Sequence, residues 1–383
     1  MEDSEIQELI DGMIVQMGRK YALSLKERQE LGRSVFCSIR KMDVLQELID
    51  CDEVTEIMVN GTGNIFVEKA GSIFQWDKRF ETQEKLEDVI QQIVAKCNRV
   101  VNEASPIADA RLENGARVNI VLAPVALNGP VITIRRFPKH PITMEDLLRY
   151  GSISQQAAEE LERLVAAGYN IFISGGTGSG KTTFLNALSQ FIPDTERIIT
   201  IEDSAELQLQ GISNLVRLET RNANMDGTKP ITIRDLIKSA LRMRPDRIVV
   251  GEVRGGEAID MLQALNTGHD GSLSTGHANS SEDMLARLET MVLMGMELPL
   301  SAIRRQIASG VDIIVHLGRL RDKSRRVLEI VEILGYENDE IVTAPLYQFR
   351  ESGEKDGNVV GELVKINKLT HTGKLTASGI EYT

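Results

Sequence analysis

Cysteine is scarce in this 383-residue chain: Cys37, Cys51 and Cys97 are all there is. They form no CxxC pair and are too few for a disulfide framework, so they read as ordinary thiols of a reducing compartment. No apolar run approaches the roughly 18 to 20 residues that cross a bilayer. The start, MEDSEIQELIDG, is acidic and lacks the basic segment and apolar stretch of a secretory signal. The expected location is therefore the cytoplasm, with any membrane association made through a partner. Positive charge is short as well, with 44 Lys and Arg against 56 Asp and Glu and a net charge of −12. That balance argues against a protein that coats nucleic acid, because such affinity comes from neutralising phosphates. Internal repeats and low-complexity segments are also missing.

What is present is a globular composition, 42% hydrophobic and 26% charged, in a chain long enough for two cores. Residues 1–47 carry apolar side chains at three- and four-residue spacing and are expected to be helical. Residues 48–137 hold the strand-like runs VTEIMVNG, NIFVEKAG, RVNIVLA and VITIRRF around an amphipathic helix, EKLEDVIQQIVAKC. They predict a small α/β domain with a mainly antiparallel sheet. Pro138 and Pro141 break the pattern and mark a linker over 138–150, with the hinge expected near Pro138 to Pro141. From 151 to 383 helices alternate with the short apolar strands YNIFIS, RIITIED and DRIVVGE. Such alternation predicts right-handed crossovers and a parallel sheet covered by helices on both faces. GRLRDKSRR, between two apolar runs, reads as a solvated hairpin tip, and the tail beyond Pro345 as an extension without a motif.

The strongest signal is GGTGSGKT, which fits G-x-x-x-x-G-K-[ST] after a strand and at the opening of a helix. Its candidate nucleotide contacts are Gly175, Gly176, Thr177, Gly178, Ser179, Gly180, Lys181, Thr182 and Thr183. The glycines let backbone N–H groups turn toward phosphates, Lys181 places its charge on the β- and γ-phosphates, and Thr182 offers a hydroxyl to Mg²⁺. Two later strands end in carboxylates, RIITIED in Glu202 and Asp203 and DRIVVGE in Glu252. In doubly wound sheets ligand chemistry gathers at these strand ends. Glu202 and Glu252 are therefore candidates to hold Mg²⁺ through water or to orient the water that attacks the γ-phosphate. An arginine-rich lid of the kinase kind and an N-K-x-D base-reading motif are both missing, which favours ATP hydrolysis over transfer or switching.

The blocks GGTGSGKTT, TIEDSAEL, VRLETR and TIRDLIKSALRMRPDRIVVGEVRGGEAIDMLQALNTGHDGSLSTGHANS, with ADARLENGARVNIVLAPVALNGPVITIRRF upstream, resemble the type II/type IV secretion ATPase superfamily. Within it the best match is the CpaF-like branch of Flp/Tad pilus assembly. The resemblance implies a RecA-like core, an acidic box at Glu202, Asp203 and Glu206, a Walker B glutamate at Glu252 and a histidine box ending at His277. It also implies a homohexamer that works with an inner-membrane platform protein. Basic residues of the first domain would approach the ATP phosphates, with Arg111, Arg117, Arg135 and Arg136 the candidates by position. The four-cysteine zinc insertion frequent in the type II branch is missing, and no zinc is expected. Conjugation and other type IV secretion ATPases remain the alternative, with a small-molecule kinase as a further rival.

His269 and His277 flank the segment GSLST. As an extended strand, at about 3.3 Å per residue, it keeps the two imidazoles too far apart for one metal. His277 is then expected at a strand end beside the γ-phosphate. His269 is expected to cap the preceding helix or to touch a neighbour.

Overall fold

The computed structural model describes residues 2–69, 71–97, 100–137, 141–221 and 229–382, with Arg19 described by its backbone alone. The chain divides into two compact units, Met1–His140 and Pro141–Thr383. The expected hinge at 138–140 lies outside the described residues.

The first unit begins with a helical hairpin, α1 (Asp3–Tyr21) and α2 (Leu25–Arg40), closed by a small cluster of Ile6, Ile10 and Ile14 against Val35 and Phe36. α3 (Leu45–Asp50) follows, and its Leu45, Leu48 and Ile49 already belong to the next core. Strands β1 (Val54–Asn60), β2 (Asn64–Lys69) and β3 (Ser72–Gln75) precede α4 (Gln83–Lys96); β4 (Ile107–Arg111), β5 (Arg117–Val121) and β6 (Val131–Arg135) come after it. Among the described residues they form one antiparallel sheet in the order β3-β2-β1-β6-β5-β4. Alternate residues such as Ile57, Val59, Val118, Ile120, Ile132 and Ile134 bury against α4, whose apolar stripe is Leu86, Val89, Ile90, Ile93 and Val94. β3 is exposed along its whole length, so no alternation marked it in the sequence.

The second unit opens with α5 (Met144–Arg149), inside the stretch expected to be a linker, where Met144 and Leu147 are buried. Next come α6 (Gln155–Ala166), β7 (Ile171–Gly175), α7 (Lys181–Ser189), β8 (Arg197–Glu202), β9 (Asn214–Glu219), α8 (Ile233–Ala240) and β10 (Arg247–Val250). They are followed by α9 (Ala258–Leu265), β11 (Leu273–Gly276), α10 (Ser281–Gly295), α11 (Leu300–Gly310), β12 (Ile313–Arg319) and β13 (Arg325–Glu337). The chain ends with β14 (Glu340–Lys355), β15 (Asn358–Lys365) and α12 (Gly373–Ala377). The sheet order is β15-β14-β13-β12-β7-β11-β10-β8-β9. β12, β7, β11, β10, β8 and β9 run parallel, while β13, β14 and β15 continue the sheet as an antiparallel meander.

The parallel strands β7, β8, β10, β11 and β12 are buried on both faces, as continuous apolar runs predict, while the edge strand β9 is partly exposed along its length. Ile171 and Ile173 of β7 face a core shared with α5, α6 and α7; Phe172 between them faces the core of α8, α9, α10 and α11. The tail that carried no motif is thus structural. β14 and β15 extend the sheet, and Glu160 of α6 accepts hydrogen bonds from Tyr347, from Lys365 (2.6 Å) and from Tyr382 (2.8 Å). Glu332, 1% exposed, accepts from the N–H groups of Thr370 (2.8 Å) and His371 (2.7 Å).

Candidate functional site

β7 delivers the glycine-rich loop to the start of α7. A Cβ on Gly175 would lie 2.4 Å from the Leu317 carbonyl of β12 and 2.6 Å from Ser179 Oγ, so glycine lets β7 end tight against its neighbour. Gly180 caps α7 at φ +94°, in the left-handed region. Gly176, Thr177 and Gly178 form the exposed tip, and Ser179 and Lys181 are buried beneath it. Lys181 Nζ donates to the carbonyls of Gly175 (3.0 Å) and Gly176 (2.9 Å) and stands 3.3 Å from His277 Nδ1. Burial lowers its pKa from the ordinary lysine value. Phosphate oxygens would offer this ammonium a full counter-charge in place of two carbonyl dipoles.

The acidic ends lie on β8 and β10, adjacent parallel strands with Ile201 level with Val250. β11 separates β10 from β7, so the axes of those two strands are about 10 Å apart. Glu202 is 2% exposed, and its Oε2 accepts from the N–H groups of Glu206 (2.6 Å) and Leu207 (2.7 Å). Burial pushes its carboxyl up to about 7. Glu202 thus fastens the loop after β8, and its second oxygen, Oε1, is a buried acceptor without a partner. Glu252 Oε2 accepts from Arg254 Nη2 at 2.7 Å, and Arg254 reaches on toward Asp203, 3.6 Å away.

His277 follows β11 directly and stands between the two halves of the site. Its Nε2 is 2.9 Å from Glu252 Oε1, although the N–H is not aligned for a full hydrogen bond and that oxygen stays unsatisfied. Burial, with the Lys181 charge adding to it, holds the imidazole below 6.5 and neutral at neutral pH. Lys181 donates into Nδ1, so the ring proton is assigned to Nε2, on the Glu252 side. Lys181, His277 and Glu252 therefore stand in one polar line across the ends of β7, β11 and β10. Glu202 Oε1 and Glu252 Oε1, both acceptors short of a donor, and the Thr182 hydroxyl in the first turn of α7 are all oxygen ligands, although among the described residues no three His, Cys, Asp or Glu side chains gather as a metal cluster. That chemistry fits Mg²⁺.

The candidate arginines all belong to the first unit. Arg111 pairs with Arg117 across β4 and β5, Arg117 with Arg135 across β5 and β6, and Arg135 with Glu56 of β1. Register and pleat put this row on the face opposite the core, since Val118, Ile134 and Ile57 beside them are buried. Arg136 is different: it donates to the carbonyls of Cys51 and Val54 (3.0 Å) and lies 3.7 Å from Asp52. It anchors β6 to the turn before β1.

Several residues beside the site escaped the sequence reading. Arg254 follows Glu252 by two positions, and that spacing was the available signal. His316 of β12 and Ser174 of β7 pair at 2.7 Å, a contact across 142 positions that no local pattern encodes. GRLRDKSRR does form the tip between β12 and β13, but three of its four arginines are committed. Arg325 Nε donates to the Gly178 carbonyl of the P-loop (2.9 Å), Arg326 to the Gly151 carbonyl, and Arg321 holds Glu351 (2.8 Å) and Glu354 (3.1 Å). His269 lies 3.2 Å from the Ala264 carbonyl at the end of α9, as a helix cap does.

Comparison with known proteins agrees with this architecture. The sequence profile described as "Type II/IV secretion system protein" matches residues 39–368. A putative conjugal transfer protein of Mycobacterium tuberculosis is 35% identical over 293 residues, covering 75% of this chain and 83% of that protein. The type IV secretion system protein PtlH of Bordetella pertussis is 34% identical over 315 residues, covering 76% and 93%. Among solved structures, the Legionella pneumophila ATPase DotB shares the fold at a TM-score of 0.54, with 21% identity and coverage of 78% and 81%. The chain belongs to the type II/IV secretion system protein family and is a P-loop ATPase of that family.

Proposed function

We propose that the chain is a homohexameric, Mg²⁺-dependent motor of Flp/Tad pilus assembly, of the CpaF-like branch, that converts ATP hydrolysis into motion between its two units. The polar line Lys181–His277–Glu252 supports this reading, because it joins a phosphate-binding cation to a candidate base through one neutral ring. The P-loop N–H groups and Lys181 hold the phosphates. Glu252 orients the attacking water and takes its proton as oxygen bonds to the γ-phosphorus and the bond to the β-phosphate oxygen breaks. His277 is placed to hydrogen-bond the γ-phosphate and to register its loss. When bound, Mg²⁺ neutralises phosphate charge, with the Thr182 hydroxyl and, through water, Glu202 and Glu252 as its holders. Arg111, Arg117 and Arg135 share one face of the first unit's sheet, and we assign them to the ATP phosphates in the closed motor. The hinge between the units is assigned to residues 138–141. The place of work is the inner face of the cytoplasmic membrane, reached through a platform protein; among the described residues no helix is long and apolar enough to cross it.

A conjugation or type IV secretion motor is the second reading, favoured by the roles printed for relatives such as the Rhizobium radiobacter conjugal transfer protein TrbB, 34% identical over 313 residues. A strain whose copy carries Glu252→Gln separates the two. Loss of surface pili with intact DNA transfer supports the pilus motor. Loss of DNA transfer with normal piliation overturns it in favour of conjugation.

A further inference from the structure

His316 is a buried, polar, titratable side chain that the hydrolysis scheme leaves without a task. It is 6% exposed, on β12, directly opposite Ser174 at the end of β7. Ser174 is wholly buried, and its Oγ lies 2.7 Å from His316 Nδ1. Ser174 has a single hydroxyl proton, which it gives to the Ser280 carbonyl at 3.5 Å, so the imidazole donates to Ser174 Oγ through Nδ1–H. The relay from His316 through Ser174 thus ends on Ser280.

Asn279 and Ser280 are not an arbitrary stretch. They join His277 to α10, and Ser280 is the N-cap of that helix, its hydroxyl accepting from Asp283 N–H at 2.9 Å. The register of β12 against β13 shifts between His316 and Leu317, a bulge of the kind that re-aims a side chain. The Leu317 carbonyl just beyond it is the one pressed against Gly175. Thus β12 touches the site twice, at the root of the P-loop through Leu317 and at the exit from His277 through His316.

We propose that His316 is a positioning residue for the phosphate chemistry: through Ser174 it clamps Ser280 and so fixes His277 at its working distance from Lys181 and Glu252. The clamp rests on the assignment of His277 to the γ-phosphate. A buried network of this kind is satisfied only in one arrangement, so it rigidifies the segment it holds. Slackening by an ångström is enough to cost an order of magnitude or more in rate while leaving the phosphate cradle intact. His316 touches no substrate atom itself, so its loss should appear in turnover and not in nucleotide affinity.

The test uses the full-length protein and measures steady-state phosphate release together with binding of a fluorescent ATP analogue in Mg²⁺. His316→Ala should lower kcat by about tenfold with the nucleotide Kd within about twofold of wild type. His316→Gln, whose amide N–H can still donate to Ser174 Oγ, should recover most of the loss. In a His277→Ala background His316→Ala should cost less than about twofold, because the residue it positions is gone. An undiminished loss in that background overturns the clamp while leaving His277 in its role. Wild-type turnover by His277→Ala alone would instead remove the assignment on which the clamp rests, and the clamp with it. Should His316→Ala fail to fold, Ser174→Ala gives the same reading: a drop in kcat that vanishes without His277 supports the clamp, and one that persists contradicts it.

Discussion

Glu202 offers a sharp test because its environment and its charge are in conflict. The side chain is 2% exposed, and burial carries its pKa from 4.5 to about 7. A carboxyl whose folded pKa is raised takes up a proton on folding between those two values. Stability from this group is therefore greatest at low pH, falls as pH rises through the window from 4.5 to about 7, and carries the full penalty above it. At about 1.4 kcal/mol per unit, the penalty at alkaline pH is about 3 kcal/mol. Glu202→Gln removes the charge and keeps an oxygen that can accept from Glu206 and Leu207, while its buried amide costs about 1 kcal/mol of its own. The expected net gain is about 2 kcal/mol at pH about 8.5, or roughly 4–8 °C in Tm for a unit of this size. At pH about 5 most of the gain should be gone, since the native carboxyl is then protonated in the fold. Thermal melts of both proteins in EDTA, without nucleotide, read the difference. Equal gains at both pH values, or a loss at pH 8.5, would show that the two N–H donors already satisfy the ionised form and that the burial argument is wrong.

Other substitutions probe the scaffold around the site. Gly175→Ala drives a methyl into the Leu317 carbonyl at 2.4 Å, and should cost about 1–3 kcal/mol in thermal stability and weaken ATP binding together. Glu160→Ala leaves Lys365 half-buried without its counter-charge and removes the acceptor of two tyrosines. It should lower stability by about 3 kcal/mol and expose the tail to trypsin at Lys365, Lys368 and Lys374, with nucleotide affinity unchanged.

What the sequence carried and what it hid divide along local and non-local lines. The P-loop, the apolar runs of β7, β8 and β10, and the stripe of α4 are local patterns, and the structure places them where those patterns pointed. β3 was invisible because its four residues are exposed and show no alternation. α5 was masked by Pro138 and Pro141, which suggested a linker where a two-turn helix packs Met144 and Leu147. β14 and β15 looked like an unreadable tail because their pairing partner is the previous strand of a meander and not a ligand. Within the site, Glu252 and His277 follow buried strands and could be found by position. The difference between Arg136 and the row Arg111–Arg117–Arg135 needed register, and the Ser174–His316 pair needed the adjacency of β7 and β12.

In the proposed mechanism Glu252 activates water at the end of the Lys181–His277 line. Pre-steady-state phosphate release by Glu252→Gln, alongside ATP-analogue binding, addresses this directly. The glutamine is isosteric and can still accept from Arg254, so nucleotide affinity should stay within about threefold of wild type while phosphate release falls by about 10²-fold or more. Phosphate release at the wild-type rate with intact binding would contradict the assignment.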